Sequence, residues 1–312
     1  MSDCQIAPPA NLSKHQRDNA IPELVPEMLF ADLEQTTGRD IANALDRYFC
    51  THRASSAVLL LRDRWQSLIA PSDWLNMFLG DVLTRSQFYQ LPTTGLCHTP
   101  SDRYPALPIQ SSTQSGFHPK RPLAPQGYVY QRTDPVSGIN VSFRLFDPEQ
   151  DLPRFTRWMH CPRVADFWEQ AWSEEALLDY ANARLADPHT LPLIGEFDGQ
   201  PFGYIEAYWV SEDRLAPYYD CQPFDRGIHL LVGEETFRGE RYFNLWMRAI
   251  THYLFLDDCR TQRIVLEPRH DNARLFNRIE SVGFKREFLF DFPHKRSALM
   301  MTNRYAFFRE QW

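Results

Sequence analysis

The chain has 312 residues, 43% of them hydrophobic and 14% aromatic, and a net charge of −7. That is apolar material enough for one large domain or two modest ones. The acidic balance excludes the clustered Lys and Arg of a nucleic-acid footprint, since Lys120-Arg121 and Lys295-Arg296 are too short to reverse it. No apolar run approaches the roughly 18 residues of a membrane span. Cys4, Cys50, Cys97, Cys161, Cys221 and Cys259 form no CxxC pair and no His-containing ligand spacing, so no metal is expected. Met1–Ala10 carries an acid and two prolines where a secretion signal needs a basic end and an apolar stretch, so a cytoplasmic protein is expected.

In chain order, the first region predicts a helix near Gly38–Tyr48, a strand at Ala57–Leu61 and a helix near Pro71–Tyr89. From Leu91 to Pro125 the sequence turns rich in Pro, Ser, Thr and Gly and reads as an irregular connection. We place the domain boundary there, with an accessory region over 1–120 and a second domain over 121–312. The pattern then becomes regular. A strand near Val141–Phe146 precedes helices near Asp151–Met159 and Ser173–Leu185. Strands near Pro192–Phe197 and Phe202–Val210 follow, joined by Asp198-Gly199, a pair that tolerates the positive φ of a tight hairpin turn. A strand at Ile228–Val232, a helix from about Tyr242 to Leu256, a strand at Arg263–Leu266 and a helix at Asn272–Val282 lead to closing strands near Phe284–Asp291 and Ala298–Arg304. Alternation ending in a strand pair predicts an α/β or α+β fold with a mixed sheet.

The chemistry concentrates after the strand Ile228–Val232. It leads through Arg238-Gly239-Glu240 straight into a helix, and a helix N-terminus presents unpaired N–H groups and a positive dipole end that suit phosphate. Gly239 permits close backbone approach and Arg238 adds charge. Any strand, Arg-Gly turn and helix would read the same way. The order that follows is more specific: a second strand ending at Glu267, a helix headed by Asn272, and Gly283-Phe284.

Strand, Arg-Gly turn, helix, strand, Asn-headed helix and Gly-Phe together resemble the acetyl-CoA-binding core of the GCN5-related N-acetyltransferase (GNAT) superfamily. The resemblance implies a mixed sheet whose fourth and fifth strands splay apart, with the pantetheine arm of acetyl-CoA lying along the fourth. The turn departs from the family in its sparse glycines, Gly239 being followed by Glu240, Arg241, Tyr242 and Phe243. A narrower resemblance runs along nearly the whole chain. It is carried by Phe117-His118-Pro119-Lys120-Arg121-Pro122, Arg157-Trp158-Met159, Phe167-Trp168-Glu169-Gln170, Phe224-Asp225-Arg226-Gly227, His252-Tyr253-Leu254, Arg260-Thr261-Gln262-Arg263 and Asp291-Phe292-Pro293-His294-Lys295-Arg296. These phrases are similar to the siderophore N-acyltransferases, particularly the aerobactin-type hydroxylysine acetyltransferases.

That resemblance implies acetyl transfer from acetyl-CoA to the hydroxylated side-chain amine of lysine, giving a hydroxamate for a downstream siderophore synthetase. N-hydroxycadaverine or N-hydroxyornithine as acceptor, succinyl-CoA as donor, and a silent acyl-CoA-binding scaffold are the competing expectations. By motif match it implies His229 and Glu267 as catalytic residues. Leu230, Leu231, Val232, Arg238, Gly239, Glu240, Arg241, Tyr242 and Asn272 are the implied acyl-CoA contacts. Asn272 equally suits a helix N-cap. For the acceptor, Trp168, Glu169 and Gln170 are expected over the cleft, with His294, Lys295 and Arg296 offering cations to a carboxylate. Tyr253 and Tyr305 are candidate acids for the departing thiolate. The N-terminal region is expected to be a degenerate partner domain that buttresses the cleft or makes a homodimer contact.

Overall fold

The computed structural model describes residues 21–69, 74–111 and 116–310, which fall into two compact units divided between Tyr89 and Gln90. Residues 90–120 therefore group with the second unit, not with the accessory region proposed from sequence.

In the first unit, helix α1 (Gly38–Thr51) opens on a capping box. The Thr37 hydroxyl accepts the Asp40 amide and the Asp40 carboxylate accepts the Thr37 amide. Ile41, Leu45 and Phe49, four residues apart, supply its buried face. Strand β1 (Ala57–Leu59) pairs antiparallel with β2 (Val82–Thr84). The helix expected over Pro71–Tyr89 is not formed. Residues 70–73 lie outside the described set, and beyond them stand a 3-10 turn at Trp74–Phe78, β2 and a single helical turn at Arg85–Phe88. Gly80, at φ +82°, reverses the chain where a helix would have continued. Among the described residues this unit holds only the two-stranded pair and no mixed sheet.

The second unit begins with a hairpin, β3 (Pro108–Gln110) and β4 (Phe117–Pro119), inside the segment read as irregular. Next come β5 (Tyr128–Thr133), missing from the sequence reading, β6 (Asn140–Leu145), α2 (Pro148–Met159), α3 (Pro162–Trp168) and α4 (Glu174–Ala186). The chain continues through β7 (Thr190–Phe197), β8 (Gln200–Trp209), β9 (Arg226–Val232), α5 (Glu240–Asp257), β10 (Arg263–Leu266), α6 (Ala273–Glu280), β11 (Lys285–Asp291), β12 (Arg296–Asn303) and α7 (Arg304–Glu310). The β7–β8 turn is the one the sequence predicted, with Asp198 at φ 49° and Gly199 at φ 76°.

The eight strands lie in the order β11-β12-β10-β9-β8-β7-β6-β5, antiparallel except for β9 and β10. That parallel pair touches in register only at Ile264↔Arg226 and Val265↔Gly227, so from Ile228 onward the two strands diverge. This is the expected mixed sheet with a splay. Tyr204 of β8 and Leu231 of β9 join Phe155, Trp158, Leu177 and Ala181 in one hydrophobic cluster, which fixes α2 and α4 over one face of the sheet. Helix α5 buries twelve residues and packs against β5 and β6. Among the described residues no helix is long and apolar enough to cross a membrane.

Candidate active site

The splay places the chemistry. Val265 pairs with Gly227, and two residues further along each strand stand Glu267 and His229, still facing one another as the backbones separate. The imidazole closes the gap: His229 Nε2 lies 2.8 Å from Glu267 Oε1. On its other side His229 Nδ1 lies 3.1 Å from Glu206 Oε2, Glu206 being its cross-strand neighbour on β8. One ring thus bridges two carboxylates. Both carboxylates are buried, whereas the His229 side chain keeps 24% of its surface open.

Tyrosine hydroxyls complete the shell. Tyr208 donates to Glu267 Oε2 at 3.0 Å, Tyr204 donates to Glu206 Oε1 at 3.0 Å, and Tyr180 of α4 donates to the same Glu206 oxygen. Tyr208 also lays its ring beside His229, with centroids 4.6 Å apart. It reaches that position by crossing β9 at Gly227, where a Cβ would stand 2.0 Å from the ring. Glycine is a steric requirement there, and the Phe224-Asp225-Arg226-Gly227 phrase acquires a reason.

The electrostatics follow from this packing. Burial favours a neutral imidazole, but the charges and hydrogen bonds of Glu267 and Glu206 outweigh it and hold the His229 pKa well above the ordinary range. Burial likewise favours a protonated Glu267. His229, then Lys295 and Arg214, overcome it and hold that carboxyl well below the usual range. Glu206 is shifted downward by the same competition between burial and His229. The resting arrangement is an imidazolium between two carboxylates, donating from both nitrogens.

Of the predicted acyl-CoA residues, Leu230, Leu231 and Val232 lie on β9 beyond the point where it parts from β10. Trp168 donates its indole N–H to the Leu230 carbonyl at 3.4 Å, and Arg163 donates to the carbonyls of Val232 at 2.7 Å and Gly233 at 3.2 Å. The diverging edge is thus covered by α3. Leu231 turns its side chain into the core, so only its backbone faces that edge. At the far end Gly239 adopts φ 133°, ψ 163° as the N-cap of α5, and no side chain caps the helix. The leading amides at Glu240, Arg241 and Tyr242 are left for an anion. Arg238 is held by Glu235 at 2.7 Å, and Tyr242 packs on Phe197 and Phe237. On α6 the Arg278 guanidinium lies over the Phe243 ring at 5.8 Å, and burial first, then the charges of Arg274 and Arg238, shift it downward. Asn272 caps α6 by accepting the Leu275 amide at 3.2 Å.

Of the residues expected to meet the acceptor, Lys295 reaches the centre, its Nζ donating to the Glu267 carbonyl at 3.1 Å. Gln170 lies beside Tyr180, its side-chain oxygen buried with no hydrogen-bond partner among the described residues. Trp168 packs on Tyr204 at the strand edge and Glu169 is exposed at φ 56°. His294 stacks on Phe292, while Arg296 turns away toward Asp291 in an exposed contact of 3.7 Å. Neither candidate acid is at the site. Tyr253 is buried among Tyr130 and His98, and Tyr305 is 72% exposed on α7. The tyrosine that does touch the His229–Glu267 pair is Tyr208. Glu206 was also missed, although a carboxylate inside the apolar run Phe202–Trp209 is the kind of buried charge that flags a site. Among the described residues one group of potential metal donors converges, Asp102, Asp258 and Cys259. Asp258 there is already taken by Arg260 at 2.7 Å.

Comparison with known proteins adds an independent line. Residues 147–292 match the family model described as an acetyltransferase (GNAT) domain. The chain is 44% identical over 270 residues to an N(6)-hydroxylysine O-acetyltransferase of Escherichia coli, covering 86% of this chain and 85% of that one. It is 38% identical to an N(5)-hydroxyornithine:cis-anhydromevalonyl coenzyme A transacylase of Beauveria bassiana, covering 70% of this chain but only half of that longer protein. Among solved structures, an aminoglycoside acetyltransferase in complex with coenzyme A superposes with a TM-score of 0.51 at 24% identity, covering 55% of this chain and 99% of that one, a likeness of fold alone.

Proposed function

The chain belongs to the GNAT acetyltransferase family, and from that premise we propose that it transfers the acetyl group of acetyl-CoA to the hydroxylated side-chain nitrogen of N6-hydroxylysine. The product is a hydroxamate, an iron-chelating group that a downstream siderophore synthetase then takes up. The observation that carries this reading is the His229 ring suspended between Glu206 and Glu267 where β9 and β10 part.

In the proposed mechanism the acceptor nitrogen attacks the thioester carbon, a C–N bond forms, the C–S bond breaks, and the nitrogen gives up one proton while the CoA thiolate gains one. A hydroxylamine is largely unprotonated near neutral pH, so the base has only to remove the proton made acidic by addition. Glu267 is that base. His229, already charged, holds Glu267 in place and supplies a positive charge beside the developing oxyanion. Glu206 keeps the imidazole protonated and oriented, and Tyr208 shares Glu267. The diverging edge of β9 from Leu230 to Val232 binds the pantetheine arm, which takes the place of the α3 contacts. The amides after Gly239, with Arg238 and Arg241, bind the pyrophosphate. Asn272 fixes the start of α6 beside that path. The second unit holds all of these groups, and we assign the first an accessory role. A cytoplasmic location fits the acetyl-CoA requirement.

Purified protein given acetyl-CoA should release CoA thiol with N6-hydroxylysine and form a product that colours with ferric iron. Lysine should give neither signal above background. Equal rates with the two amines, or none with the hydroxylamine, would sink the reading.

A further inference from the structure

Two cations meet over one aromatic ring beside the catalytic carboxylate. Arg214 lies in the connection that follows β8, and Lys295 in the turn between β11 and β12. The Arg214 guanidinium and the Lys295 ammonium each lie 5.4 Å from the centroid of Phe292. Phe292 is itself buried with Tyr208, Val265 and Leu299, so this platform is anchored in the sheet that carries Glu267.

Holding two like charges together is unfavourable. Burial, and after it the Arg214 charge, hold the Lys295 ammonium below its ordinary pKa against the opposing pull of Glu267. Glu267 and Asp213 offset part of that repulsion without taking up the donors of the pair. The two Glu267 carboxylate oxygens already serve His229 and Tyr208, and Arg214 approaches no nearer than 3.8 Å, outside hydrogen-bond range. Among the described residues the Arg214 guanidinium makes no hydrogen bond, and its side chain is 52% exposed. Lys295 uses one donor on the Glu267 carbonyl. The remaining N–H donors have the charge and geometry for a carboxylate, which a guanidinium engages with two parallel bonds. An extended lysine skeleton sets its terminal nitrogen roughly 7 Å from its carboxylate, six zigzag bonds of about 1.5 Å. That span suits a nitrogen placed on Glu267 and a carboxylate placed on the outer side of these cations.

Resting on the acyl-transfer reading above, we propose that Arg214 and Lys295 bind the α-carboxylate of the acceptor and select hydroxylamines that are still amino acids over decarboxylated ones. The test compares kcat/KM for N6-hydroxylysine, N5-hydroxyornithine and N-hydroxycadaverine, with acetyl-CoA, in the wild type and in Arg214→Met, Arg214→Lys and Lys295→Met. Melting temperature and acetyl-CoA affinity are checked for each variant. The wild type should prefer hydroxylysine to hydroxycadaverine by about 10- to 100-fold, the worth of a charge-assisted hydrogen-bond pair. Arg214→Met should erase most of that preference, chiefly through the hydroxylysine KM, and Arg214→Lys should restore part of it. Equal wild-type rates on hydroxylysine and hydroxycadaverine, or an Arg214→Met loss of the same size on both, would overturn the proposal while acyl transfer to hydroxylamines stood. No turnover on any hydroxylamine would overturn that underlying reading and take this one with it.

Discussion

Strand β9 carries two cationic side chains three residues apart, one buried and one partly open, and their surroundings differ in a way that separates structure from chemistry. Arg226, where β9 still pairs with β10, donates to Asp257 at 2.8 Å and lies on the Trp209 ring at 3.9 Å. The same ring receives Arg121 at 4.1 Å, whose guanidinium grips Glu212 and the Pro223 carbonyl. These three groups are almost fully buried, with each cation matched to one carboxylate. His229, where the strands have parted, faces two carboxylates, retains open surface and has two further cations close by. Burial of charge is common to both clusters. What distinguishes the second is access together with charges that are not matched one to one, which is what a reacting substrate can use.

The largest effect expected from breaking the open cluster is on turnover. Glu267→Ala should lower kcat by about 10²–10⁴-fold, the range of general-base contributions, with acetyl-CoA affinity by calorimetry within about threefold of wild type. Near-native turnover would remove Glu267 from the mechanism. Next, Gly227→Ala tests whether the ring of Tyr208 must cross the backbone of β9. The added methyl meets that ring, so we expect an overpacking loss of about 1–3 kcal/mol in denaturant unfolding, together with reduced turnover as Tyr208 leaves Glu267. A variant of wild-type stability and rate would contradict the steric argument.

A smaller effect concerns pH. His229 titrates at about 10 in the folded chain against an ordinary 6.5 because Glu267 and Glu206 outweigh burial. A raised pKa stabilises fully below 6.5, and that stabilisation is lost as pH climbs toward 10. Glu267, held down to about 2 from 4.5 chiefly by His229 against burial, contributes fully above 4.5 and loses its contribution toward 2. Together the pair stabilises most between about pH 4.5 and 6.5. Glu206→Gln removes one of the two anions around the ring, so in thermal melts the alkaline loss should begin at lower pH than in the wild type. Superimposable melts would show that Glu206 does not set the charge of His229.

The smallest effect is expected at the cofactor end, where the geometry is local. Gly239→Ala should cost about 1–3 kcal/mol because its backbone sits where L-residues are strained. It should also raise the KM for acetyl-CoA several-fold with little change in kcat. A change confined to kcat would contradict a phosphate-binding turn.

The same contrast explains what could be read from sequence. The Arg238-Gly239 turn into α5, the Asp198-Gly199 hairpin and the order β9, α5, β10, α6 are written in neighbouring residues, and His229 and Glu267 are implied by the family resemblance that this order supports. Glu206 was not legible, because its partner is 23 positions away and only strand register brings them together. Arg214 and Phe292 meet across still more chain, and nothing near Arg214 marks it. Tyr208 was overlooked in favour of Tyr253 and Tyr305 because its role depends on a glycine across the sheet. The helix expected near Pro71–Tyr89 fails for the opposite reason, since Gly80 at φ +82° interrupts a locally helix-like pattern. The β3–β4 hairpin and β5 are short strands among turn residues, where composition outweighs alternation.

The most direct measurement sets the two clusters side by side: hydroxamate formation at saturating acetyl-CoA and thermal stability, in His229→Ala and Arg226→Met. We predict that His229→Ala loses about 10²–10⁴-fold in kcat while melting within a few degrees of wild type. Arg226→Met should lose about 3–5 kcal/mol of stability, by leaving Asp257 buried without its partner, yet turn over at a near-native rate at temperatures where it is folded. The reverse pattern, with His229→Ala active and Arg226→Met stable but inactive, would contradict the assignment of chemistry to the open cluster.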